Sequence, residues 1–288
     1  MKYKVLAALA SVTVLSGCVT NSEPALPDGW EEITPERVDA IAAMVDDEDG
    51  VLTAGTNPPF APFEFKDDAG NIVGVEMDLA RAMAGVMGLD FQPVEQDFAM
   101  ILPSIQGGQL DIGVSGFTDT EERRQNFDFV NYLYAGIQWA QPTSTSKDVD
   151  PENACGLTVA VQRTTVSETD DVRPKAEECD GDLEILSYDT SDNAAIAALT
   201  GRADALSADS PVTAYAVNRS DGQLEMVGEM FDAAPYGMAV AKDSDYGPAM
   251  AAALQHLIDT GDYARILAQW GIEDGLIDTA MINERPQS

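Results

Sequence analysis

The sequence predicts an α/β protein built as two similar lobes, and three observations carry that prediction. From residue 51 onward, short apolar runs of strand length alternate with stretches whose apolar residues recur at helical spacing. That order places the strands in a largely parallel sheet. The same order recurs from residue 157. A local echo links the two halves: Gly108-Gln109-Leu110-Asp111 and Gly201-Arg202-Ala203-Asp204 each lead into a strand just after an Ala/Ile-rich helical stretch. Glycine is also the ordinary helix C-cap, so the echo counts only together with the matching order. The 288 residues suit one large domain or two of roughly 120 residues, each with its own core.

The amino terminus comes first. Lys2 and Lys4 precede an apolar stretch at 5–15, too short for the roughly 20 residues a membrane span needs but suited to a secretory signal. Leu15-Ser16-Gly17-Cys18 resembles a bacterial lipobox, which makes 1–17 a lipoprotein signal peptide and Cys18 the lipidated first residue. The protein is then held on the outer face of the cytoplasmic membrane. Residues 19–33 are polar with two prolines and read as a tether, followed by a short helix within 35–45; together 18–45 precede the first lobe. With Cys18 assigned, Cys155 and Cys179 remain. In an oxidising compartment they form a bridge, worth roughly 3.5 kcal/mol in the chain-entropy model, unless they are two buried thiols.

The periodic elements follow in order: a strand at 51–55, a helix at 74–87 stopped by Gly88, a strand at 91–95, a helix at 97–107 and a strand at 110–114. The second series is a strand at 157–162, a helix at 165–178, a strand at 183–186, a helix at 191–200, a strand at 203–206 and a helix at 210–218. Two amphipathic helices fill 246–270.

Composition narrows the function. With 16 basic and 50 acidic residues the formal charge is −34, which repels phosphate backbones and removes nucleic acid as a partner class. A single histidine, His256, leaves little room for a zinc site or a Ser-His-Asp triad. The sequence contains no glycine-rich phosphate loop and no metal-spaced cluster.

In open α/β sheets ligands sit beyond the carboxyl ends of strands. Three such ends carry chemistry: Ser115-Gly116-Phe117-Thr118 leading to Arg123, Arg163-Thr164-Thr165 opening a helix, and Ser207-Ala208-Asp209-Ser210. An arginine fork with hydroxyls and helix-end amides satisfies a carboxylate, and an aspartate from the opposite lobe satisfies an ammonium. An α-amino acid requires that pair. Each residue also has an ordinary reading, with Arg123 a surface charge and Asp209 or Thr165 a helix cap.

The stretches Gly55-Thr-Asn-Pro-Pro-Phe-Ala-Pro-Phe-Glu-Phe65, Gly74-Val-Glu-Met-Asp-Leu79, Phe98 with Leu102-Pro-Ser104, Thr120-Glu-Glu-Arg123 with Phe129, and Gly201-Arg-Ala-Asp-Ala205 with Asp209 are similar to family 3 solute-binding proteins of polar amino-acid ABC transporters. The likeness spans 51–271 in the family's order, and the cysteine pair with Trp270-Gly-Ile-Glu-Asp-Gly275 looks like members from Gram-positive actinobacteria. The resemblance implies a two-lobed periplasmic-binding-protein-like (type II) fold with the ligand cleft between lobes joined by two crossover strands. Lobe 1 comprises 46–137 plus 237–288, and lobe 2 comprises 138–236.

The resemblance also implies roles. Arg123 holds the ligand carboxylate with Gly116, Thr118 and the amides around Thr165; Asp209 holds the ammonium; Phe60 and Phe98 sandwich the side chain. Asn57 stands where members that bind basic amino acids often carry aspartate, so a polar, non-basic amino acid is expected. Gln162 is placed to meet a polar side chain, and Arg163 an acidic one. The implied protein is a monomeric, lipid-anchored receptor without cofactor or catalysis that serves an ABC permease and ATPase. The alternatives are an amino-acid-sensing receptor module and a dehydratase-type enzyme, whose general acid would have to be Asp209 or Glu76.

Overall fold

A computed structural model describes residues 25–45 and 49–286. The signal peptide and Cys18 lie outside the described residues. Helix α1 (Asp39–Ala42) is a single turn, shorter than the stretch read from sequence. Strand β1 (Val51–Thr56) leads to a small hairpin of β2 (Phe65–Lys66) and β3 (Ile72–Val73). Helix α2 (Val75–Met87) buries eleven of its thirteen residues and ends at Gly88, whose φ of 74° gives the left-handed cap foreseen from sequence. Strand β4 (Asp90–Glu95), helix α3 (Phe98–Gln106) and strand β5 (Ile112–Gly113) complete the first series.

The chain then runs into β6 (Phe127–Pro142), a strand of sixteen residues that leaves one lobe and enters the other. The second series is β7 (Thr158–Gln162), α4 (Arg173–Glu178), β8 (Glu184–Tyr188), α5 (Ser191–Leu199), β9 (Ala205–Asp209) and α6 (Ser210–Arg219). Strand β10 (Leu224–Ala241) returns, and α7 (Tyr246–Thr260) and α8 (Asp262–Gln269) pack on the first lobe. The expected helix at 165–178 is two elements, because a π-type segment, Ser167–Val172, precedes α4. Pro174 cannot donate to the carbonyl four residues back, and the wider turn avoids that clash.

The strand order is β4-β1-β5-β10-β6-β9-β7-β8. β1 pairs parallel with β4 and β5, and β7 parallel with β8 and β9, so the parallel series of each lobe occupies one end of the path. β6 and β10 lie antiparallel between them, with register shifts at Val227/Phe231, Phe231/Ala234 and Tyr236/Gly237. Such irregularities bend and twist a ladder where it would otherwise be stiff. Separate apolar clusters fill the lobes: one around Leu52, Leu79 and Leu254, another around Trp139, Val159 and Val161. A disulfide joins Cys155, before β7, to Cys179 after α4, with Cα atoms 5.3 Å apart.

The segment read as tether is not free along its whole length. Trp30 Nε1 donates to Asp78 Oδ2 at 2.7 Å, and Trp270 Nε1 donates to the same oxygen at 2.8 Å. Asp78 sits in the first turn of α2, so residue 30 is docked on lobe 1. Among the described residues no helix is long and apolar enough to cross a membrane.

Candidate functional site

A narrow cleft lies between the lobes, lined by Phe60, Phe98, Ser115, Gly116, Thr118 and Arg123 from one side and by Gln162, Thr165, Val166 and Asp209 from the other. Eight of the nine ligand-contact candidates read from sequence line it, and the ninth, Asn57, reaches it through Gln162. Ser115 opens a strand end read as carrying chemistry but was given no contact, and Val166 is the neighbour of Thr165.

Arg123 stands in a single 3₁₀ turn, Arg123–Gln125, after the loop that follows β5. Its Nη1 donates to the Thr118 carbonyl at 2.8 Å, and its Nη2 donates across the cleft to the Thr164 carbonyl at 3.1 Å. The guanidinium carbon lies 5.9 Å from the Phe98 ring centre and 5.7 Å from that of Phe117. Loss of solvent disfavours its charge, and the facing Asp209 favours it. The neighbouring Arg124 is occupied elsewhere, paired with Asp119 and Glu284 at 2.5 Å each.

Asp209 occupies the N-cap position of α6, yet its side chain makes no cap hydrogen bond. The ordinary cap reading therefore does not account for it. Its carboxyl is buried, and desolvation pushes its pKa up to about 6, opposed by the Tyr236 hydroxyl and the Arg123 charge. An ammonium group would restore the ionised form. Thr165 also does not cap through its hydroxyl, which donates to the Gln162 carbonyl at 2.7 Å. The Thr164 amide is already engaged by Glu168 Oε2 at 2.7 Å, which removes it from the anion contacts expected of this turn. Thr164 has a φ of 62°, a left-handed conformation unusual for a β-branched residue.

The aromatic pair is braced from behind, Phe60 on Phe63 with ring centres 5.5 Å apart and Phe98 on Phe117 at 4.7 Å. Gly116 has a φ of 56°, and a Cβ there would meet the Phe60 ring at 2.6 Å. Only glycine lets that wall approach the ring.

Two sequence readings need correction. Arg163 does not point at a ligand; its guanidinium pairs with Asp97 of lobe 1 and Asp189 of lobe 2. Two carboxylates neutralise it, so it gives no preference for an acidic side chain. Asn57 does not select against a cation either. Its Nδ2 donates to the Gln96 carbonyl at 2.8 Å, and its Oδ1 accepts from Gln162 Nε2 at 2.8 Å. The atom it turns across the cleft is an acceptor, which can take a hydrogen bond from a cationic donor.

Residues 52–273 match the family model of bacterial extracellular solute-binding proteins, family 3. The chain belongs to that family. It is similar to the arginine-binding protein ArgT of Corynebacterium glutamicum, with 63% identity over 285 residues, 96% of this chain and 94% of that protein. Similarity to the histidine-binding periplasmic protein of Escherichia coli is 32% over 159 residues, 54% of this chain and 58% of that one. Among solved structures, an ancestral arginine-binding protein bound to arginine matches with a TM-score of 0.72 and 32% identity, covering 77% of this chain and 98% of that one. An ancestral amino acid-binding protein described as a precursor of cyclohexadienyl dehydratase matches at 0.70 and 29%, covering 77% of this chain and 96% of that one. The family and the two-lobed type II fold agree with the resemblance. The expectation of a non-basic ligand is not supported, because relatives named for arginine stand among the most similar proteins.

The enzyme alternative finds little chemistry in this family member's cleft. Glu76 lies behind the wall, 1% exposed and bonded to the Gly116 amide and Tyr132. Among the described residues, Asp209 is the one carboxyl lining the cleft.

Proposed function

We propose that this protein is an extracytoplasmic receptor that captures L-arginine and delivers it to an ABC permease and its ATPase. The observation that carries the reading is the cleft itself: Arg123 and Asp209 come from opposite lobes into a space that the braced Phe60 and Phe98 also line, with Asn57 Oδ1 bonded across it to Gln162. Arg123, Thr118 and the Thr165 amide take the ligand carboxylate, while the Gly116 N–H expected to join them is held by Glu76 and leaves Gly116 as wall; Asp209 takes the ammonium, and Phe60 and Phe98 hold the aliphatic stem. Asn57 and Gln162 supply neutral amide oxygens to the guanidinium. The 63% identical arginine-binding relative supports this choice over a neutral amino acid.

Capture works by closure. Lobe 1, taken as 46–137 plus 237–288, holds the carboxylate while lobe 2, 138–236, brings Asp209, and the permease reads the closed form. The receptor is a monomer anchored by lipidated Cys18, a reading supported by Leu15-Ser16-Gly17-Cys18. No catalytic step is assigned. Calorimetric titration with each amino acid tests the function, with arginine expected to bind tightest. Arg123→Ala should fold normally and lose about 2–5 kcal/mol of binding, since it strips a charged, hydrogen-bonded partner from a closed site. Binding of neutral amino acids alone, or full binding by Arg123→Ala, would refute it.

A further inference from the structure

Two glutamates lie directly beneath the lobe 1 wall of the cleft, and neither belongs to the ligand contacts. Glu64 is 0% exposed and Glu76 is 1% exposed. Glu64 Oε1 accepts from the Ser115 hydroxyl at 2.5 Å, and that hydroxyl oxygen accepts from the Asn57 amide at 3.2 Å. Glu76 accepts the Gly116 N–H on both oxygens, at 3.1 and 3.0 Å, and the Tyr132 hydroxyl at 2.5 Å. The two side chains thus hold Asn57, Ser115 and Gly116 from behind.

No lysine or arginine among the described residues pairs with either one. Glu64 Oε2 is buried and makes no hydrogen bond; the Thr56 hydroxyl, itself unpaired, is a neutral donor near the carboxyl, and the group beside it is the Glu76 carboxyl. As a bare carboxylate it would face a like charge that a neutral hydroxyl does not offset. As a hydroxyl it can donate to Glu76, which removes that repulsion. Burial pushes the pKa of both groups up, and the Glu76 charge adds to the rise at Glu64.

The surroundings supply no competing base. Thr56 of β1, Ser115, Tyr132 of β6 and Tyr236 of β10 are the polar groups that face the pair. The charges across the cleft are Asp209, which Glu76 opposes, and Arg123. A second negative charge behind Gly116 would act on the place where the ligand's anionic group arrives.

We propose that Glu64 and Glu76 share one proton at neutral pH and act as positioning residues, keeping the carboxylate-facing wall in place without a second negative charge beneath it. This rests on the amino-acid receptor reading for its effect on binding, but the shared proton can be observed without any ligand. Infrared difference spectra of the full-length protein at about pH 7, wild type against Glu64→Gln, should show a protonated-carboxyl band that the variant lacks.

Glu64→Gln keeps an acceptor for Ser115 and offers an amide N–H to Glu76. With L-arginine as probe, its affinity should stay within about threefold of wild type, whereas Glu64→Ala should bind at least about tenfold more weakly. Above neutral pH the wild type should lose affinity more steeply than Glu64→Gln, because titration of the ligand amine is common to both. If Glu64→Gln does not fold, Glu76→Gln replaces it in the spectra and must likewise lose the band. Absence of the band in wild type, or a folded Glu64→Gln that binds as weakly as Glu64→Ala, overturns the proposal. If wild type keeps the band but binds no amino acid, the receptor reading fails and the shared proton stands.

Discussion

Arg163 carries the one ion pair that crosses between the lobes among the described residues, and its loss has a calculable effect on closure. Its partner Asp97 also caps α3, accepting the Ala99 amide at 3.0 Å through Oδ1, so Asp97→Asn is the cleaner change because it keeps the cap acceptor. The side chains are 40% and 34% exposed, which puts the pair with solvent-screened bridges and not with buried ones. Pairs of that kind contribute about 0.2–1 kcal/mol. Because the contact across the cleft exists only when the lobes meet, that energy should appear in ligand affinity, as about a 1.4- to 5-fold weakening for Arg163→Ala. A double-mutant cycle of Arg163→Ala and Asp97→Asn, read by calorimetric arginine binding at low and high salt, isolates the coupling. The coupling should shrink as salt rises, because charges at this exposure are screened. A coupling of zero at low salt, or one that salt leaves unchanged, would show that the pair plays no electrostatic part in closure.

Other expectations are independent of that one. Asp209, raised to about 6, is ionised at neutral pH but takes up a proton below about pH 6 that it must give up to meet an ammonium, so arginine affinity should fall about tenfold from neutral pH to about pH 5. The folded state binds that proton more tightly than the unfolded chain does, so stability from this group is highest at low pH. It declines as pH rises from about 4 to 6, as melting across that range would reveal. Replacing Cys155 and Cys179 by serine opens a loop of sequence separation 24 and should cost about 3 kcal/mol in chemical denaturation. Thr164→Gly relieves a left-handed β-branched residue costing about 1–2 kcal/mol but adds backbone freedom worth about 0.5–1 kcal/mol. The melting temperature should therefore rise slightly; a fall would mean the Thr164 side chain contributes contacts that outweigh its strain.

The element order and the two lobes were legible from periodicity, and the strand ends offered Arg123 and Asp209 as candidates, but it was the family resemblance that put them in one site. What failed to read depends on partners distant in sequence. Arg163 looked available to a ligand until Asp97, 66 residues away, neutralised it. Asn57 looked like a filter against cations because residue type alone does not say which end of an amide faces the cleft; the Gln96 carbonyl decides that. No local pattern marks Glu64 or Asp171 as interior, yet both are buried, Glu64 accepting from the Ser115 hydroxyl and Asp171 from Trp139 and Ser207. The π-type segment at Ser167–Val172 left no periodic trace, since it shifts the helical phase over a single turn.

The docking of Trp30 and Trp270 on one Asp78 oxygen has a mechanical consequence. Any force or restraint applied to the amino-terminal segment is handed to lobe 1 at residue 30 and not to the hinge. With the anchoring and closure proposed above, lobe 1 is the stationary half, keeping its orientation toward the mooring, and lobe 2 the half that moves. A distance label on α5 or α6, measured from a label on α2, would follow that motion with little contribution from tumbling on the mooring.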